Sequence, residues 1–173
     1  MTSLCPASLP KCALALLFLL MSPFVSAQTA LYTPTQTSDI EAIRFVLAQW
    51  CYDVDTKNYN ALVDVFTSDV VADVAPSPIV NLTALQQLYN TALGNSTTQH
   101  SSSTEYVKFL NATTANVTSY NQAVYLGPGS GRANLQKSSA TFYERYDDTF
   151  VKGYDGSWKI SFRLLTIFVG PHF

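Results

Sequence analysis

The residues able to move a proton in this chain are few, and those at useful positions are His100, Asp53 and Asp55. His100 closes the tripeptide Thr98-Gln99-His100, and the two acids follow the apolar run around Trp50. The only other histidine, His172, lies at the very end of the chain. An imidazole held by a carboxylate can take or give a proton near neutral pH, with neither a metal nor an organic cofactor. Such a pair removes a proton beside a carbonyl or helps a hydroxyl depart. Spacing does not choose between the acids. At about 100° per residue, Asp53 and Asp55 fall on opposite sides of the apolar stripe that precedes them.

Other chemical kits are missing from the sequence. It has no His-x-His, Cys-x-x-Cys or His-Glu-x-x-His spacing, so no metal site is expected. It has no Gly-x-Ser-x-Gly elbow for a nucleophilic serine. The stretch Gly127-Pro-Gly-Ser-Gly131 lacks the Lys-Ser/Thr pair of a phosphate loop and reads as a hairpin loop. No cofactor is implied. With a net charge of −2 and no basic cluster, neither nucleic acid nor an anionic membrane surface is an expected partner.

The scaffold that must position these groups begins after an export signal. Lys11 is the only charge before an apolar run from Cys12 to Met21, and Val25-Ser26-Ala27 supplies a small-residue cleavage site. That run is half the length of about twenty residues needed to span a bilayer, so cleavage after Ala27 and a secreted product are expected. Residues 28–37 read as a flexible lead-in and 38–173 as one domain. Cleavage leaves Cys51 without a partner, in an apolar helical stretch where it reads as a small buried hydrophobe. Four sequons, at Asn81, Asn95, Asn111 and Asn116, predict a glycoprotein with those asparagines facing outward.

Within the domain, Ser38 and Glu41 form a capping box that predicts a helix start. Ile40, Ile43, Leu47, Trp50, Cys51 and Val54 then recur at helical spacing. A short helix is expected around Leu62, Val63, Val65 and Phe66, a strand over Val70–Val74, and a helix from Asn81 to Leu93 ended by Gly94. Strands are expected over Tyr106–Leu110, Gln122–Leu126, Thr141–Lys152 and Trp158–Val169, the last two joined by an Asp155-Gly156 turn. Helices first and an antiparallel meander afterwards is an α+β pattern.

The order of these elements resembles a known family. Trp50-Cys-Tyr-Asp-Val-Asp-Thr-Lys-Asn-Tyr59, Thr98-Gln-His100 and Asp155-Gly-Ser-Trp-Lys-Ile160 with Arg163 look like a SnoaL-like domain over roughly residues 38–169. That domain belongs to the nuclear transport factor 2-like superfamily, which includes scytalone dehydratase and polyketide cyclases. The resemblance implies a cone: a curved mixed, mostly antiparallel sheet wrapped around three helices of the N-terminal half, open to an apolar cavity. By the same resemblance, Asp55 matches the family's helix acid and His100 its catalytic histidine. A tyrosine of scytalone dehydratase is replaced here by Val54, and a second histidine by Asn121, which can hydrogen-bond but cannot shuttle a proton. Trp50, Tyr143, Tyr146 and Asn121 are the candidates for contacting substrate. Tyr143 points opposite to Phe142 and Tyr146 by strand alternation.

Two functions fit these expectations. One is a secreted protein acting on a small hydrophobic cyclic molecule by cofactor-independent acid/base chemistry, of dehydratase, isomerase or cyclase type. The other is a module that carries or sequesters an apolar ligand without turning it over. Either leaves the outer sheet face as the expected surface for self-association.

Overall fold

A computed structural model of the protein describes residues 32–74, 76–127 and 139–170. The expected signal peptide, most of the glycine-rich loop and His172 lie outside the described residues.

Helix α1 spans Pro34–Asp55, beginning inside the stretch read as lead-in. Two capping boxes compete here, and the outer one wins. Thr33 Oγ1 accepts from the Gln36 backbone N–H at 3.2 Å, and the Gln36 side chain accepts from the Thr33 N–H at 3.0 Å. Pro34, with its φ preset for a first turn, favours that start over Ser38. Glu41 is left on the helix surface, paired with Arg44 at 2.8 Å. At the other end Lys57 takes φ 62°, a left-handed residue that stops α1 just after Asp55.

A 3-10 helix, Tyr59–Asp64, follows, and strand β1 runs Phe66–Asp73. Phe66 thus belongs to a strand rather than to the short helix expected from its apolar neighbours, a run too short for periodicity to decide. β2 (Ile79–Val80) pairs with β1, and α2 covers Leu82–Leu93. Asn81 caps α2 by accepting from the Ala84 N–H at 3.0 Å, and its φ of 81° is tolerated by an asparagine. Gly94 ends α2 with a right-handed φ of −56°, so its freedom is not used for a left-handed exit.

β3 (Thr97–Asn111), β4 (Thr114–Leu126), β5 (Ser139–Lys152) and β6 (Trp158–Val169) complete a six-stranded sheet in the order β2-β1-β6-β5-β4-β3. All neighbours run antiparallel except β1 and β6, which makes the sheet mixed. Register shifts between Ser102 and Glu105, Tyr143 and Glu144, and Thr149 and Phe150 add local twist, and the sheet curves around the helices. The turn before β6 holds Gly156 at φ 84°, as the Asp-Gly pair requires.

Ile43, Leu47 and Val54 of α1 pack with Phe66, Val117, Phe150 and Ile160 into one core between helices and sheet. Alternation decides which β4 residues join it. Ala115, Val117 and Ser119 are buried, whereas Asn116 and Tyr120 stand exposed on the outer face. Tyr120 there stacks on Phe168, ring centroids 6.0 Å apart. All four sequon asparagines are exposed. Among the described residues, no helix is long and apolar enough to cross a membrane.

Candidate active site

Asp55 is the last residue of α1, and His100 lies on the inward side of edge strand β3. The two meet. His100 Nδ1 lies 2.6 Å from Asp55 Oδ1, and the His100 backbone N–H donates to Asp55 Oδ2 at 2.7 Å. Thr98, one inward position earlier, donates its hydroxyl to Asp55 Oδ1 at 2.9 Å and accepts from Lys57 Nζ at 2.8 Å. Burial alone would raise the Asp55 carboxyl. The hydrogen bonds from His100 and Thr98 outweigh it and hold the carboxyl below its ordinary value. An ionised Asp55 accepts the Nδ1 proton, which fixes the tautomer with Nε2 as the free base nitrogen. The Tyr125 hydroxyl is 3.5 Å from Nε2, and the Trp50 ring packs against the imidazole with centroids 5.2 Å apart.

His100 lines a cavity of about 150 Å³ together with Trp50, Tyr89, Tyr125, Glu144 and Tyr146, bordered by Leu88, Leu93 and Leu165. Larger depressions, of about 350 and 570 Å³, are open surface grooves around Asn60 and Thr35, without His100.

Glu144 is the functional candidate that sequence reasoning missed. It sits on β5 two residues before Tyr146, on the same face, and is only 3% exposed. The Tyr146 hydroxyl donates to its Oε2 at 3.0 Å. Burial pushes its carboxyl up, against the opposing pull of that hydrogen bond and of His100 and Arg163. The available signal was an acid at an inward position of an alternating strand.

The remaining expected residues separate. Trp50 and Tyr146 line the cavity. Tyr143 does not; it stands half-exposed on the opposite face of β5, because alternation sends it outward. Asn121 is buried on β4 opposite Glu144, where its Nδ2 donates to Ser119 Oγ at 3.2 Å, and it is not part of the cavity wall. Asp53 is buried away from the cavity, its carboxyl pushed up by burial with Asp64 nearby, so the two acids near the end of α1 have different surroundings. Val54 is in the core. Burial pushes the Cys51 thiol up to about 11, far from the thiolate a nucleophile needs.

Behind the cavity wall, Arg163 on β6 and Asp148 on β5 form a bidentate ion pair at 2.7 and 2.8 Å, both side chains fully buried. The guanidinium lies 4.4 Å from the ring centroids of both Trp50 and Tyr146 and so braces two walls of the cavity. Among the described residues, no group of His, Cys, Asp and Glu is arranged to hold a metal ion.

A family model described as a SnoaL-like domain matches residues 35–163. Among solved structures, a protein from Novosphingobium aromaticivorans provisionally named scytalone dehydratase is 24% identical, with a TM-score of 0.71 over 82% of this chain and 92% of that one. A hexachlorocyclohexane dehydrochlorinase, LinA type 2, is 16% identical, with a TM-score of 0.67 over 79% and 90%. A Kribbella flavida protein is 20% identical, with a TM-score of 0.70 over 79% and 95%. These likenesses establish a shared fold. No curated protein matches the chain.

Proposed function

This chain belongs to the SnoaL-like domain family, and from that footing we propose that it performs cofactor-independent acid/base chemistry on a small hydrophobic cyclic molecule. His100 is the proton carrier and Asp55 orients it. One observation carries the proposal: His100 Nδ1 lies 2.6 Å from an ionised Asp55, while the other ring nitrogen borders an apolar cavity with only a phenol at 3.5 Å. That nitrogen takes a proton from the carbon beside a ring carbonyl, and the same imidazolium returns it in an isomerisation or passes it on in a dehydration. Trp50 and Tyr146 give the ring its apolar contacts.

The protein is, in this reading, exported after cleavage behind Ala27 and carries sugar on exposed sequon asparagines. Secretion from a eukaryotic host should yield a chain beginning at Gln28 whose mass falls on glycosidase treatment. An intact N-terminus on the released protein would refute the export step.

The chemistry is tested by deuterium uptake from D2O into a cyclic ketone, followed by NMR. Wild type should catalyse it and His100→Ala should not, with the same far-UV spectrum. The carrier reading is favoured by the resemblance, which sets Val54 and Asn121 against proton-handling groups of scytalone dehydratase; neither residue lines the cavity. Saturable ligand binding with no exchange in wild type would decide for the carrier.

A further inference from the structure

The cavity has a second titratable wall. Glu144 faces it from β5, two strands away from His100 on β3, with Tyr125 of β4 also on the wall between them. One carboxylate oxygen, Oε2, accepts from Tyr146; Oε1 makes no hydrogen bond among the described residues. A carboxyl placed in an apolar wall with one oxygen unspent is costly for a structural residue, and nothing in the His100–Asp55 pair requires it.

We infer that Glu144 is the acid of this site, handing a proton to a departing hydroxyl, and that the substrate is a single six-membered ring with that hydroxyl β to a ketone. This rests on the acid/base reading of His100 above. A single ring matches the volume: about 150 Å³ is room for one benzene-sized ring. The leaving group follows from the acid. A halide departs as an anion and would leave a proton donor idle, whereas hydroxide departs readily only as water. Its place in the cavity wall and the burial that raises its carboxyl suit Glu144 to donate, as Asp55 suits His100 to accept.

The step balances. His100 Nε2 takes the proton from the carbon between ketone and carbinol, and that C–H electron pair forms the new C=C bond. The C–O bond breaks as Glu144 delivers its proton, and water leaves. The imidazolium then returns its proton to the Glu144 carboxylate through solvent, which restores both groups.

The groups that set Glu144's titration are Tyr146 on its own strand, His100 on β3, Tyr125 on β4 and Arg163 on β6. Tyr146 donates to the carboxylate and so favours ionisation. Removing that donor should keep the acid protonated to higher pH.

The test uses the full chain as secreted, with 3-hydroxycyclohexanone as probe and a ring-fused bicyclic analogue beside it. Enone formation is followed by absorbance and deuterium uptake at C2 by NMR. Glu144→Gln should lower enone formation by about 10²–10⁴-fold and abolish the alkaline fall of its pH profile, while uptake at C2 continues. Tyr146→Phe should move that alkaline fall to higher pH. It reads the same acid without altering the carboxyl, should the glutamine variant not fold. His100→Ala should lose both signals. If Glu144→Gln forms enone at the wild-type rate, or Tyr146→Phe leaves the alkaline limb in place, the role of Glu144 is overturned while the His100 reading stands. If wild type shows neither signal, both fall. Turnover of the bicyclic compound in preference to the single ring overturns the substrate assignment.

Discussion

Two carboxylates are paired with nitrogen side chains on the inner side of one sheet, and the pairs are built for different ends. Arg163 and Asp148 face each other across β6 and β5, fully buried, with two hydrogen bonds between them and the Trp50 and Tyr146 rings packed on the guanidinium. His100 and Asp55 join β3 to the end of α1, and Asp55 keeps 20% of its side chain exposed while one histidine nitrogen borders the cavity. The first pair has no edge on the cavity. The second commits one nitrogen to its carboxylate and leaves the other for a ligand. A sealed pair holds walls; an open pair does chemistry on what the walls enclose.

The largest effect that would sharpen this contrast is on folding. Asp148→Asn leaves Arg163 charged in a site without solvent and should cost about 3–5 kcal/mol in urea unfolding. Replacing both residues by Met and Leu should recover most of that loss. Next comes activity: His100→Ala should lower turnover by about 10²–10⁴-fold with a far smaller loss of stability. A comparable drop in stability would place His100 with the sealed pair.

Acid should distinguish the carboxylates further. Asp55 is held below its ordinary value in the folded protein, so its contribution is present above the unfolded value of about 3.9 and is lost as pH falls through the lower folded one. The stability of wild type over Asp55→Asn should therefore be constant from neutrality down to about pH 5 and shrink below it. Glu144 carries the opposite sign. Its folded value is raised, so ionising it costs stability as pH rises past about 4.3, and Glu144→Gln should gain on wild type with rising pH. The smallest effect is at Tyr143, where alanine should change stability by about 0.5 kcal/mol or less and leave turnover intact, unlike Tyr146.

Much of the scaffold is legible in the sequence. β6 runs Trp158–Val169 as its alternation indicates, α2 starts after Asn81, and Asp155-Gly156 makes its turn. What escaped reading shares one cause. Glu144 and Asp148 are polar side chains at inward positions, as are Thr98 and His100, which residue type and motif pick out; a hydrophobic period assigns such residues to the outside. For that reason the first half of β3, Thr97 to Glu105, shows no apolar alternation, although it carries the histidine. Asp55 came from family resemblance because helix angles treat it and Asp53 alike, and only the fold shows that β3 passes one and not the other.

The exposed position of Asn116 on β4 bears on how copies of this chain can meet. It stands on the same side of the same strand as Tyr120, whose stacked partner Phe168 extends the aromatic ground. A branched sugar attached there would sweep a volume several times that of an amino-acid side chain, directly over the terrain a second copy would need. Decoration of that asparagine and docking across the outer sheet are thus rivals, and protein made in a host without the glycosylation machinery would be the more prone to pair.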